Sequence, residues 1–479
     1  MTRVLAFDFG ASSGRAILGS YGEGRLEYRE IHRFENIPHT VGGHLRWNFS
    51  ALMSEVRCGI EKAGAFDSVG IDTWGVDFGL LDADGKLLED PVHYRDARTE
   101  GMVDAAARIM APQVLYTGTG TQILPINTLF QLLALQKQQP KLLQRADKLL
   151  FMPDLFAYAL CGHMACERSI ASTSQLLTLP EGGWNTQVLR AFNLPERLFL
   201  PTVPSGSVVG TWPHRNAKVV AVAGHDTQCA VAALPTQEPD VAFLSCGTWS
   251  LLGCELDTPV LTEESLRLGL SNELGANGRV NYLKNIIGLW LIQESRREWR
   301  RQGRDYSYAE LERLALEAAP LRCFIDPDDP VFTPPGDIPT RVRDYCASTK
   351  QYVPQTVGEV MRCVYESLAL KYRLALEQLQ TSTGRHFTAL HILGGGTKDG
   401  LLCRMTADST GLRVVAGPVE ATALGNIIIQ LVSLGALPSI EAGRALIART
   451  ETVTEYTPAD TAEWDSAYET YKALLKYEK

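Results

Sequence analysis

Val4-Leu5-Ala6-Phe7-Asp8-Phe9, then Gly10-Ala11-Ser12-Ser13-Gly14, then Arg15-Ala16-Ile17-Leu18 follow one another without a break. Two apolar runs about a turn of small residues predict a β-hairpin. The first run carries one charge, Asp8, directly before the turn. The motif recurs about half a chain later. Val241-Ala242-Phe243-Leu244-Ser245 leads into Cys246-Gly247-Thr248-Trp249 and then Ser250-Leu251-Leu252-Gly253, with Ser245 where the first hairpin has Asp8. A single recurrence at that distance fits two related domains better than a solenoid.

Outward from these hairpins the pattern is that of an α/β protein. A third strand is expected near Leu26 to Phe34, a helix over Ser50 to Gly64, and mixed strand and loop character over Val69 to Phe78. Met361, Val364, Leu368, Ala375 and Leu379 give helical spacing to a long helix over Val357 to Gln380. A strand at Ala389 to Leu393 enters the turn Gly394-Gly395-Gly396, and a last helix runs from about Thr461 to Tyr477. The breaker-rich segment Pro235-Thr236-Gln237-Glu238-Pro239 marks the domain boundary, giving domains 1–237 and 238–479. The length of 479 residues accommodates two large domains at about 100–200 residues or somewhat more each.

Composition narrows the function classes. The chain has 46 Lys and Arg against 55 Asp and Glu, a net charge of −9, and 45% apolar residues. It is a globular composition with no basic surplus for non-specific nucleic-acid binding. The first ten residues carry Asp8 inside their apolar run and do not read as a signal peptide. Leu424 to Leu437 is too short to span a bilayer and contains Asn426 and Gln430. A cytoplasmic protein without membrane or nucleic-acid partners is expected. The ten cysteines form no zinc-like spacing, and Cys246, Cys254 and Cys403 read as buried thiols. Whether Cys346 and Cys363 meet in space is left open, and the cysteines are given no chemical role.

Several segments could carry chemistry. The Gly10–Arg15 turn is neither a P-loop nor a dinucleotide fingerprint. It is either an ordinary turn or a place where N–H groups and hydroxyls approach a phosphate, with Asp8 beside it to orient a hydrated Mg²⁺. Gly394-Gly395-Gly396 is a flexible loop or a surface on which a ligand lies against the main chain, and Thr248 offers a hydroxyl and an N–H to the same kind of ligand. In Gly224-His225-Asp226-Thr227, Asp226 is a general base or a helix cap. Asp72-Thr73-Trp74-Gly75-Val76-Asp77 sets an indole and a glycine between two carboxylates, suiting a sugar or a strand end with a core Trp. Tyr94-Arg95-Asp96-Ala97-Arg98 fixes polyols or is a solvated charged loop.

The order Asp8-Phe9-Gly10-Ala11-Ser12-Ser13, Gly224-His225-Asp226-Thr227, Cys246-Gly247-Thr248-Trp249 and Gly394-Gly395-Gly396 resembles the FGGY carbohydrate kinases, over essentially the whole chain. The resemblance implies two ribonuclease-H-like (actin-like ATPase) domains flanking a deep cleft, the first for sugar and the second for nucleotide. It implies that Ala11, Ser12, Ser13, Gly14, Arg15, Thr248, Asn285, Gln293 and Gly395 contact ATP. It implies that Gly75, His225, Asp226 and Thr227 contact a ketose, that Asp226 is the base, and that Asp8 helps hold Mg²⁺ through water. Cys246 stands where such chains often have Ser.

Five further segments narrow the resemblance to one branch of the family. They are Gly70 to Phe78, Lys284 to Leu291, Phe324 to Pro330, Ile31 to Phe34 and Glu420 to Asn426. That branch implies ATP-dependent phosphorylation of L-rhamnulose at its C1 hydroxyl. The alternatives are another ketose, such as L-fuculose or L-xylulose, or an actin-like ATPase that is no kinase. Oligomeric state and regulation are not read from the sequence.

Overall fold

The computed structural model describes residues 1–459 and 461–477. Both expected hairpins are present. In the first, β1 (Thr2–Phe9) and β2 (Ser13–Gly22) pair antiparallel with Asp8 opposite Arg15. β3 (Arg25–Glu35) continues the meander. The hairpin can close this tightly because Gly14 has no side chain. A Cβ there would lie 2.2 Å from the ring of Phe34.

On its other edge β1 pairs parallel with β4 (Ser68–Thr73), and β4 with β6 (Ala217–Ala221). β5 (Ser207–Trp212) closes the sheet, whose order is β5-β6-β4-β1-β2-β3. The continuous apolar run of β1 is explained by burial. Val4, Leu5, Ala6, Phe7 and Phe9 are fully buried, packed with Trp47, Val56 and Ile71. Burying one such large side chain stabilises by about 1.5–3 kcal/mol. α1 (Phe49–Ala63) covers this core; Asn48 caps it by accepting from the Ala51 N–H, and Gly64 at φ 70° ends it.

The chain divides into two compact units. One comprises Met1–Gln237, Glu255–Tyr282 and Ala421–Thr450; the other comprises Glu238–Cys254, Leu283–Glu420 and Glu451–Lys479. The second unit holds the repeat hairpin, β7 (Val241–Cys246) and β8 (Trp249–Leu256), antiparallel as in the first. β9 (Val280–Ile287) lies beyond β8. On the other side of β7 follow β10 (Ala389–Leu393), β11 (Arg413–Ala416) and β12 (Thr454–Tyr456). β10 leaves directly into the glycine triplet, which is a 3-10 turn over Gly395–Lys398 rather than an open loop.

The long helix spans Val357–Thr383, three residues further than its apolar pattern suggested. A capping box of Thr356 and Glu359 starts it and Gly384, left-handed at φ 68°, stops it. The expected C-terminal helix covers Thr461–Tyr477. No helix among the described residues is long and apolar enough to cross a membrane. The Leu424-to-Leu437 run lies largely in a buried helix, Ala421–Ser433.

Candidate active site

Three strand ends converge in the first unit. The register sets Phe9 beside Thr73, and Thr73 forms a parallel bridge with His225. The carboxyl ends of parallel strands are where α/β sheets bind ligands. Here those ends carry Asp8, Asp72 and Asp226. Asp8 and Asp72 are register partners across β1 and β4. Arg15 reaches back across the hairpin and donates to Asp8 Oδ2 from Nε (3.0 Å) and Nη2 (2.7 Å). Of the residues expected at phosphates, Arg15 is therefore engaged by Asp8. Ala11, Ser12 and Ser13 form the hairpin tip, where the Gly10 N–H donates to the Ser13 carbonyl at 2.9 Å.

Asp72 is fully buried, and Asn426 Nδ2 donates to its Oδ2 at 2.7 Å. Its Oδ1 has no partner among the described residues. Burial and then the charge of Asp8 push its pKa well above the carboxylate range, against the Asn426 hydrogen bond. Gly70 makes this contact possible, because a Cβ there would lie 2.8 Å from Asn426 Oδ1.

Asp226 opens a short helix, Asp226–Ala232, whose N-cap position belongs to His225. Its Oδ1 accepts from the Thr227 N–H at 2.7 Å. The carboxylate lies among buried groups, yet 31% of the side chain stays accessible. Burial raises its pKa to about 6; the His225 charge opposes this and Asp8 adds to it. His225 is held from behind: Nδ1 donates to Glu273 Oε2 at 2.8 Å, while Nε2 stands 3.5 Å from Asp226 Oδ1. Burial alone would lower the His225 pKa. Glu273, Asp226 and Glu167 outweigh it, so the imidazole is shifted towards its charged form. Gly75 borders the same space. A Cβ on it would lie 3.5 Å from His225 Nε2 and 3.3 Å from Thr173 Cγ2.

The neighbouring segments are structural instead. The Trp74 indole is 5% exposed, stacks on Trp47 with centroids 4.1 Å apart, and donates to Asp77 Oδ2 at 2.9 Å, so it offers no face to a ligand. Asp77 also accepts from Trp47, Gln131 and the Tyr94 N–H. Burial raises its pKa to about 6 against those donors. Tyr94 and Asp96 are buried too, and Arg98 donates to Gln131 at 2.6 Å.

In the second unit the expected nucleotide residues gather around the repeat hairpin. Thr248 Oγ1 donates to Gln293 Oε1 at 3.3 Å, and the Thr248 carbonyl accepts from the N–H groups of Gly288 and Trp290. Asn285 lies on β9, three residues ahead of Gly288. Gly394 takes φ 81°, Gly395 has nothing within 4 Å of where a Cβ would be, and Gly396 lies so close to Cys246 that a Cβ would meet its Sγ at 2.2 Å. The triplet thus combines one open and one crowded glycine.

The FGGY family of carbohydrate kinases matches over both halves, its N-terminal domain on residues 3–233 and its C-terminal domain on 242–434. The chain belongs to that family. It is therefore a carbohydrate kinase, with ATP and a sugar as its substrates. A rhamnulokinase of Bacteroides thetaiotaomicron is 43% identical across 98% of this chain and 99% of its own length. One of Enterococcus faecalis is 39% identical across 98% of this chain and 97% of its own. Among solved structures, the gluconate kinase of Lactobacillus acidophilus superposes with a TM-score of 0.80 at 15% identity, over 99% of this chain and 98% of that one. The xylulose kinase of the same organism gives 0.79 at 15%, over 100% and 98%. At that identity they establish the fold, and it is the two-domain α/β fold the motifs implied.

Glu273, Asn426 and Gln430 are polar members of this kinase's site that the motifs did not single out. Gln430 Nε2 donates to Asn426 Oδ1 at 2.7 Å, and its Oε1 accepts from Ser68 at 2.7 Å. Asn and Gln four apart in an otherwise apolar helix share one face. That spacing was the available signal. Glu273 had none, because only the fold brings it to His225.

Proposed function

We propose that this kinase transfers the γ-phosphoryl group of ATP to the C1 hydroxyl of L-rhamnulose, giving L-rhamnulose 1-phosphate and ADP. The observation that carries the choice of sugar is the 43% identity to a rhamnulokinase over nearly the full chain. Asp226 is the base: it accepts the C1 proton as that oxygen attacks the γ-phosphorus. A pKa of about 6 suits a base working near neutrality. Gly75, His225 and Thr227 bind the ketose with it. His225, tied to Glu273, presents Nε2 to the same space. Ala11, Ser12, Ser13, Gly14, Arg15, Thr248, Asn285, Gln293 and Gly395 bind the nucleotide.

Asp8 helps hold Mg²⁺ through water. Hard carboxylate oxygens, one of them the unpartnered Oδ1 of Asp72, fit an ion that binds through one or two carboxylates and keeps several waters. When bound, the ion neutralises phosphate charge. Sugar binding falls to the domain of residues 1–237 and nucleotide binding to 238–479, and the enzyme works in the cytoplasm, where ATP is supplied.

Coupled measurement of ADP release tests the reading. L-Rhamnulose should elicit turnover at least tenfold faster than L-fuculose or L-xylulose at equal concentration, about 1.4 kcal/mol of discrimination. Equal release without sugar would instead indicate an ATPase, and a faster rate with another ketose would reassign the substrate.

The pKa of Asp226 predicts the acid limb of the rate profile. Only the ionised carboxylate accepts a proton, so kcat/KM should fall about tenfold per pH unit below about 6 and level off above it. A flat profile from pH 5 to 8 contradicts the assignment. Gly75→Val fills the space before His225 Nε2 and Thr173. It should raise the KM for the ketose about tenfold or more while the KM for ATP stays within about twofold. An unchanged ketose KM removes Gly75 from the sugar site.

A further inference from the structure

Three cysteines that the kinase reaction does not use converge inside the second unit. Cys323 lies in the coil before Phe324, Cys346 in the helix Ile338–Ser348, and Cys363 in the helix Val357–Thr383. Their sulfurs all lie within 4.8 Å of one another, and the residues are 4%, 0% and 1% exposed. Two side chains tie the three backbones together around the thiols. Gln351 accepts from the Phe324 N–H at 2.8 Å and donates back to its carbonyl at 2.8 Å, while its own N–H donates to the Cys346 carbonyl at 2.9 Å. Ser367 Oγ accepts from the Ile325 N–H at 2.9 Å and donates to the Cys363 carbonyl at 2.6 Å. The thiols are thus held face to face by a hydrogen-bonded frame rather than by their own contacts.

We propose that this trio is a binding site for one thiophilic divalent cation of the d¹⁰ class, Zn²⁺ being the biological member. Three sulfurs at a Zn–S distance of about 2.3 Å stand about 4.0 Å apart in a trigonal arrangement, a separation the observed cluster accommodates. Thiolate ligands select Zn²⁺ and its soft relatives over Mg²⁺ and Ca²⁺. Burial favours a divalent ion, which leaves three thiolates with one uncompensated charge where a monovalent ion would leave two. Each thiol that binds releases its proton, so affinity falls as pH falls.

The ion would brace the start of the segment Phe324-Ile325-Asp326-Pro327-Asp328. In that segment Asp326 and Asp328 hold Lys371, and Asp328 accepts from the Ile287 N–H at 2.9 Å on the strand that carries Asn285. Its role is therefore to stabilise the nucleotide unit, not to take part in phosphoryl transfer.

The test uses the reduced, metal-stripped full chain, incubated with Zn²⁺ and in parallel with Cd²⁺, then desalted. One ion per chain should remain by elemental analysis. Native mass spectrometry should show the ion's mass less the displaced protons, and X-ray absorption at the zinc edge should show three sulfur neighbours. The thermal midpoint should rise on loading. Cys323→Ser and Cys346→Ser should lose the ion, while Cys58→Ser, outside the trio, keeps it. Sugar-dependent turnover of the unloaded variants shows whether they fold; if one does not, the stoichiometry and sulfur count of the unaltered chain decide. The proposal is overturned if no ion is retained, if fewer than three sulfurs surround it, or if Cys323→Ser binds it equally. It is also overturned if two of the three sulfurs are joined in a disulfide in freshly isolated protein.

Discussion

Asp226→Asn is expected to reduce sugar phosphorylation by about 10²–10⁴-fold while ATP affinity stays within a few-fold. The amide is nearly isosteric. Its oxygen can still accept from the Thr227 N–H, so the first turn of the helix Asp226–Ala232 keeps its bond. What disappears is the ability to take the C1 proton and the negative charge 3.5 Å from His225 Nε2. The lost charge also lowers the tendency of His225 to ionise, although Glu273 remains at 2.8 Å on the other nitrogen. A loss confined to kcat, with nucleotide binding intact by calorimetry, separates a missing base from a misfolded site. Turnover within about threefold of the parent enzyme would remove Asp226 from that role.

How far the sequence discloses this site differs from residue to residue. The hairpins were legible because a strand buried on both faces must be continuously apolar, and a turn of small residues between two such runs has few other meanings. Asp8 was legible as the single charge in that run. Asp226 was half legible. Its segment allowed a base or a cap, and only the helix boundary shows that His225 takes the cap position and leaves the Asp226 carboxylate at the strand ends. Trp74 shows the reverse failure. An indole between carboxylates suits a sugar, but the pattern is the same when the carboxylate, Asp77, is a buried acceptor for two indoles.

Glu273 and the thiol trio were not legible, for one reason. Their partners are 48 residues away in the first case and on three separate segments in the second, and no local periodicity encodes such meetings. Asn426 and Gln430 fall between these cases. Their spacing announces a polar face, but that this face reaches Asp72, Ser68 and Leu5 depends on how the helix packs.

That packing makes Gly425→Ala the most damaging small substitution expected in this chain. In an isolated helix the change would stabilise by roughly 1 kcal/mol, since Ala loses less backbone entropy than Gly. Here the added Cβ would lie 1.7 Å from the Cys229 carbonyl oxygen and 2.6 Å from its carbon. Both are backbone atoms of the helix Asp226–Ala232, so no side-chain rotation relieves the clash. Ordinary contact needs about 3.5 Å, and the two helices must separate by well over about 1 Å.

Overpacking of this kind typically costs about 1–3 kcal/mol, and a backbone clash belongs at or above the top of that range. The displacement also reaches the chemistry from both sides. One helix begins with Asp226, and the other carries Asn426, which holds Asp72 at 2.7 Å. Chemical denaturation should therefore show a loss of about 3 kcal/mol or more, and the residual folded enzyme should have a lower kcat. A variant as stable as its parent, or more stable, with full turnover would mean that the helices can part without moving the carboxylates. The tight crossing would then be a matter of packing alone.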